Sequence, residues 1–240
     1  ITYKGIPISD IPRSAFGYLP EERGLYKQST VQETLLYLGA LKFPDKQKLK
    51  QHIDQWLERF LIPEYKHKKI EELSKGNQQK IQFIASVLHN PELLIIDEPL
   101  SGLDPLNQEL FKDIVKELRI QGKTILFCTH QLSIAEVLCD SVIMLNKGKV
   151  AMSGNMQDIL NAGNKDILVE FSHLHSSLIP NEYRAAGERR WIIPLGESDT
   201  IASIVPLLSQ YGEIESINPY RPTLLSIFKQ QIEQTEETIA

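Results

Sequence analysis

The stretch Leu93-Leu94-Ile95-Ile96-Asp97-Glu98-Pro99-Leu100-Ser101-Gly102-Leu103-Asp104 decides how the rest of the chain is read. Four consecutive aliphatic residues between Pro91 and Pro99 are too few for a buried helix. They fit a strand covered on both faces, as in a parallel sheet. The run ends abruptly in acid. In open α/β sheets ligands bind outside the carboxyl ends of the strands, so Asp97 and Glu98 are expected to emerge from the core into a site. The two carboxylates suit different tasks there. One can hold a magnesium ion directly or through water, while its neighbour orients or deprotonates a nucleophilic water. An apolar run ending in Asp is common in α/β proteins; the turn and the small-residue loop that follow, with a third acid at Asp104, raise the odds of phosphate chemistry.

Working outward, the chain has 240 residues, enough for one large domain or two smaller ones. Hydrophobic residues make up 42% and charged residues 24%, near globular averages, which excludes a disordered or fibrous chain. A net charge of -5 gives no support to a nucleic-acid binder working through a broad basic surface. Two cysteines, Cys128 and Cys139, offer no disulfide framework and fit a reducing compartment. No run approaches the roughly 18 apolar residues of a membrane span, so a membrane role is expected to come through a partner. The start, Ile1-Thr2-Tyr3-Lys4-Gly5, is not a signal peptide; it reads as the middle of a strand, and a preceding segment is expected.

Residues 1 to 8 alternate around Gly5 as an edge strand or hairpin, and 15 to 20 form a short strand stopped by Pro20. Glu21 to Tyr26 reads as a loop. Thr30 with Glu33 is a capping box, opening a helix whose apolar face is Val31, Leu35, Leu38 and Leu41. A second helix over about 46 to 60 carries Ile53, Leu57 and Phe60, and a solvated basic connector, Tyr65 to Ile70, follows. Ser74 precedes an amphipathic helix with Ile81, Ile84, Ala85 and Leu88 inward. Composition makes Ser74 an N-cap, while the free amides of such a helix end also suit a terminal phosphate.

Beyond Asp104 a helix over 106 to 120 turns Leu110, Ile114, Val115 and Leu118 inward and ends at Gly122. Lys123 to Thr129 is the next buried strand, with His130 at its carboxyl end. A short helix over 131 to 139 and a hairpin over 141 to 151, turning at Asn146-Lys147-Gly148, come next. Gly122-Lys123-Thr124 imitates the end of a phosphate-binding loop. Its first glycine falls at Glu117, and it leads into a strand where that loop must open a helix. From about Asn164 a separate α+β unit is expected: strands at 167 to 171, 191 to 195 and 214 to 217, helices at 199 to 211 and 222 to 231, and a frayed end over 234 to 240. His173 and His175 lie near a loop, where exposure outweighs metal binding.

Taken together, Asp97-Glu98-Pro99-Leu100-Ser101-Gly102-Leu103-Asp104, Leu73-Ser74-Lys75-Gly76-Asn77-Gln78-Gln79 and Cys128-Thr129-His130 resemble the ATP-binding subunit of ABC transporters. They correspond to its Walker B and D-loop, its signature loop and its switch histidine. Lys75 stands in place of a glycine of the signature and Asn77 in place of its glutamine. Leu19-Pro20-Glu21-Glu22-Arg23-Gly24-Leu25-Tyr26 is similar to the branch serving exporters of the ABC-2 or sodium-extruding type, with Glu21 where the Q-loop glutamine is usual.

The resemblance implies an α/β fold: a partial P-loop NTPase domain of ABC type over 1–163, with a helical subdomain near 30–90, and an accessory α+β domain over 164–240. It implies ATP and Mg²⁺ as ligands and ATP hydrolysis as the activity. Asp97 would position the metal, Glu98 would polarise water, and His130 would hold the γ-phosphate. Ser74, Gly76, Asn77 and Asp104 would act on nucleotide held by a second ATP-binding subunit in a head-to-tail dimer, and Glu21 would offer an oxygen to the cation. It also implies a transmembrane permease as partner, a place on the inner face of the cell membrane, no nucleic acid, and the Walker A motif upstream of residue 1. Two other readings are a non-hydrolysing fragment that completes a partner's ATP site and a soluble ABC protein of translation or repair.

Overall fold

The computed structural model describes residues 1–22, 24–43, 45–161, 166–175, 179–180, 182–196 and 199–237, the last five by their backbone. The chain forms two compact units, Ile1–Leu138 and Cys139–Ala240. The boundary expected between 163 and 164 lies outside the described residues.

In the first unit β1 (Thr2–Tyr3) and β2 (Ile6–Pro7) pair antiparallel across Lys4-Gly5, whose φ of 50° and 78° are both left-handed. Two left-handed residues give the turn whose twist matches a hairpin, and the glycine lowers its cost. Next come β3 (Phe16–Leu19), α1 (Val31–Ala40), α2 (Lys46–Arg59), α3 (Lys75–Val87), β4 (Leu93–Asp97), α4 (Pro105–Ile120), β5 (Thr124–Cys128) and α5 (Leu132–Leu138). The strands β3, β4 and β5 form a parallel sheet in that order, with Leu19 opposite Ile96 and Asp97 opposite Cys128. The acid-terminated run is thus the central strand, and three carboxyl ends lie side by side.

The covering of this strand differs from expectation. Leu94 and Ile96 are buried, but Leu93 and Ile95 are only half-buried, and on the neighbouring strands Tyr18 is 57% and Leu126 53% exposed. The buried face meets α3 at close range: a Cβ on Gly17 would come within 2.4 Å of the Ser86 carbonyl oxygen, so only glycine admits this approach of helix to strand.

Thr30 caps α1 through the expected box, its hydroxyl accepting from Glu33 N–H at 3.2 Å while the Glu33 carboxylate accepts from Thr30 N–H at 2.9 Å. The connector expected to be merely solvated also serves this helix. The carbonyls of Lys68 and Lys66 accept from the Val31 and Gln32 amides, which an isolated helix end leaves unsatisfied. Leu41, assigned to the apolar face, ends the helix 67% exposed.

The helix α3 is enclosed on nearly every side rather than amphipathic. Gln79, Lys80, Gln82 and Ser86 are buried along with Ile81, Phe83, Ile84 and Val87. Lys80 is tolerated because its ammonium donates to the Phe60 carbonyl at the end of α2, 3.1 Å away. Burial still holds its pKa below the ordinary lysine range, with Asp104 and Glu64 opposing. Phe83 centres an aromatic cluster, with ring centroids 4.6 Å from Phe111, 5.6 Å from Phe60 and 6.2 Å from Trp56. The buried face of α4 accordingly runs through Phe111, Ile114, Val115 and Leu118, leaving Leu110 half-buried. Gly122, at φ 84°, terminates α4, where Lys123 N–H reaches the Leu118 carbonyl and Gly122 N–H that of Arg119. Its role there is to stop a helix, in keeping with the rejection of a phosphate-binding loop.

His89, buried after α3, donates from Nε2 to the Phe16 carbonyl at 2.8 Å. Burial first, then the charges of Lys42 and Lys123, hold it below its ordinary pKa of 6.5, partly offset by that carbonyl. The unfolded chain therefore takes up a proton that the folded chain resists, so this contribution is present above pH 6.5 and is lost as pH falls below it. Thermal unfolding followed from pH 7.5 down to pH 5.5 should show a shallower loss of stability for His89→Gln than for the parent, with the two curves separating below about pH 6.5.

In the second unit β6 (Ser141–Asn146) and β7 (Lys149–Asn155) form a hairpin turning at left-handed Lys147 and Gly148, followed by α6 (Met156–Asn161). A four-stranded antiparallel sheet is ordered β11-β8-β10-β9, built from β8 (Ile167–Leu174), β9 (Arg184–Ala185), β10 (Arg190–Ile193) and β11 (Gly212–Pro219). Ile167, Val169, Phe171 and Ile193 bury one face against Ile204 and Leu208 of α7 (Ile201–Leu208). The last helix, α8 (Leu224–Glu237), extends past the expected end at 231 into the segment assigned as frayed; residues 238–240 of that segment lie outside the described residues.

Candidate functional site

The carboxyl ends of β3, β4 and β5 deliver Glu21, Asp97-Glu98 and Thr129-His130 to one edge of the parallel sheet. Asp97 ends the central strand opposite Cys128, whose thiol pKa is pushed up by burial and by the charges of Asp97 and Glu98. Among the described residues no group of three or more His, Cys, Asp or Glu is gathered to hold a metal. A single carboxylate nevertheless fits Mg²⁺, which binds through one or two carboxylates, keeps several waters and takes the rest of its shell from phosphate.

Glu98 departs from the strand with φ 43°, a left-handed conformation costly for a residue with a Cβ. Its amide still donates to the Cys128 carbonyl at 3.0 Å. The reversal places the carboxylate against the end of β5. Glu98 Oε1 accepts from the His130 backbone N–H and from His130 Nδ1, each at 2.7 Å. A carboxylate has no proton to give, so the Nδ1 proton is fixed by this pair and Nε2 is the ring nitrogen left for other partners. Thr129 Oγ1 accepts from Gln131 N–H at 3.1 Å, which directs its own proton to Glu98 Oε2 at 3.3 Å. The Glu98 side chain is 12% exposed and that of His130 80%, so a held carboxylate carries an accessible imidazole.

A second group forms at the N-terminus of α3. Ser74 Oγ accepts from Asn77 N–H at 3.2 Å, so Ser74 is an N-cap, and its hydroxyl proton remains available for donation. No acid lies in the first turn of α3. A Cβ on Gly76 would lie 3.2 Å from the Gly102 carbonyl oxygen, which sets the signature-like loop against the 101–104 loop. Asp104 caps α4, accepting from Asn107 N–H at 3.0 Å, and this bond is the main reason its carboxyl pKa lies below the ordinary range.

Two residues of the site carry little signal in the sequence. Thr129 stands there only as context for His130, and Gln82 as one polar residue within a helix. Gln82 Nε2 donates to the carbonyls of Pro20 at 2.9 Å and Glu22 at 3.0 Å, flanking Glu21. The sequence signal is a polar residue between the apolar positions Ile81 and Ile84 of a helix.

The parallel sheet thus presents an acidic pair and a histidine at its carboxyl edge, beside the capped N-terminus of α3, which fits the P-loop NTPase fold that the resemblance implies. The model of the ABC transporter family matches residues 1–101. Over 97% of its length the chain is 40% identical to the Uncharacterized ABC transporter ATP-binding protein YhaQ of Bacillus subtilis, covering 79% of that protein. Among solved structures, an ATP-binding subunit of an ABC transporter aligns at TM-score 0.58 and 33% identity, over 65% of this chain and 66% of that one. The cbiO1 protein of Clostridium perfringens, part of the ABC transporter complex cbiONQ, aligns at TM-score 0.56 and 26% identity, over 66% of each chain. The chain belongs to the ATP-binding proteins of ABC transporters. ABC ATP-binding domains are ATPases.

Proposed function

We propose that the chain is the ATP-hydrolysing subunit that energises an ABC exporter, acting as a head-to-tail dimer beneath a transmembrane permease at the inner face of the membrane. The observation that carries this reading is the Glu98–His130 pair at the ends of adjacent parallel strands. Glu98 polarises the attacking water: Oε1 is occupied by His130, while Oε2, bonded among the described residues to Thr129 alone, keeps a lone pair for a water proton. His130 meets the γ-phosphate through the nitrogen that Glu98 leaves available. Asp97 and Glu21 supply oxygen to Mg²⁺, which when bound neutralises charge developing on the transferred phosphoryl group.

Ser74, Gly76 and Asn77, at the positive end of α3, act with Asp104 on nucleotide held by the second subunit. Residues 1–163 form the ATP-binding domain in this reading and 164–240 an accessory domain. Among the described residues no helix is long and apolar enough to cross a membrane. In this reading the energy is passed to a separate permease; cbiO1 is likewise part of a transporter complex.

The test is purification of the tagged complete protein from detergent-solubilised membranes of its own cells. A stoichiometric integral membrane protein should co-purify, and the pair reconstituted into vesicles should hydrolyse ATP faster than the subunit alone. Recovery only with ribosomes or nucleic acid would overturn the transporter assignment in favour of a soluble ABC protein.

A further inference from the structure

We propose that Gln82 is a positioning residue that clamps the backbone on both sides of Glu21 and thereby fixes where the Glu21 carboxylate meets the metal–nucleotide. The proposal rests on the reading of Glu21 as a cation-contacting group. Gln82 lies on α3, two turns beyond the end that carries Ser74, and is 6% exposed. Its amide nitrogen spends both protons on the carbonyls of Pro20 and Glu22, at 2.9 and 3.0 Å. The orientation of the amide is dictated by chemistry, since turning it over would set oxygen against two carbonyl oxygens.

This arrangement leaves Gln82 Oε1 buried without a partner among the described residues. An unsatisfied buried acceptor costs stability, and an aliphatic side chain at this core position would avoid that cost. What an aliphatic residue cannot do is hold the two carbonyls, so an amide at this core position points to the loop it grips. Glu21 is exposed and sits between the two held residues, with no hydrogen bond of its own among those described. The clamp is what defines its backbone at the site edge. It also ties that loop to the helix whose N-terminus bears the signature-like residues.

The experiment is a double-mutant cycle in the complete protein with Gln82→Met, which keeps length and packing but removes both donors, and Glu21→Ala. The readouts are equilibrium binding of a fluorescent ATP analogue titrated with Mg²⁺, ATP turnover, and thermal unfolding. Gln82→Met is expected to raise the Mg²⁺ concentration for half-maximal binding about tenfold in the parent, yet by less than about twofold in the Glu21→Ala background. Gln82→Asn, which keeps the donors but is a methylene short, should give the same shift if the Met variant unfolds. An unchanged Mg²⁺ dependence in both variants, or an equal shift with and without Glu21, would overturn the positioning role and leave a purely structural bond. A Glu21→Ala protein with parental Mg²⁺ dependence would instead refute the cation role of Glu21 itself.

Discussion

Glu98→Gln in the complete protein is expected to lower ATP turnover by a factor of about 10² to 10⁴, the usual contribution of a positioned general base. The same variant should accumulate as an ATP-bound dimer, seen as a shift in elution volume that depends on nucleotide. The substitution keeps the architecture for a specific reason. The amide oxygen can still accept from His130 N–H and Nδ1–H, and the amide nitrogen can turn to the Thr129 hydroxyl, which has a lone pair to accept it. What is lost is the oxygen that takes a proton from water. Parental turnover in Glu98→Gln would remove Glu98 from the catalytic role.

The largest effect on stability is expected at Phe83. Its ring is fully buried and touches the rings of Phe111, Phe60 and Trp56, which joins α2, α3 and α4. Truncation to alanine removes buried apolar area and leaves a cavity that three helices cannot easily close. The expected cost is about 3–5 kcal/mol. Denaturant unfolding should show this loss in the transition of the Ile1–Leu138 unit, since a chain of two units need not unfold in one step. Leu41→Ala, at a position that faces solvent, should stay within about 0.5 kcal/mol of the parent. A comparable loss at both positions would mean that the aromatic cluster is not the centre of this unit.

The elements legible in the sequence are those written in local chemistry. The Thr30–Glu33 box, the stop at Gly122 and the Lys147-Gly148 turn each follow from the conformations and hydrogen bonds of a few adjacent residues. Where periodicity is the only guide, the phase slips. It turns Leu110 inward although Phe111 is the buried residue, and it gives α3 a solvent face, because an enclosed helix shows no polar side from which to count. The connector 65 to 70 looked dispensable because its contribution is made by backbone carbonyls, which leave no trace in side-chain composition.

The candidate site divides in the same way. The sequence by itself determined which residues stand at the carboxyl ends of the strands and before the helix: Asp97, Glu98 and His130 follow apolar runs that stop in polar residues, and Ser74 precedes a segment of helical period. Only the tertiary structure decided that Glu98 turns back through a left-handed conformation onto His130, that Thr129 holds its second oxygen, and that Gln82 grips the Glu21 loop from 60 residues away. The physical reason is range. Strand ends and caps are properties of neighbours in the chain, whereas the orientation of a carboxylate is set by donors that folding brings from other strands and helices.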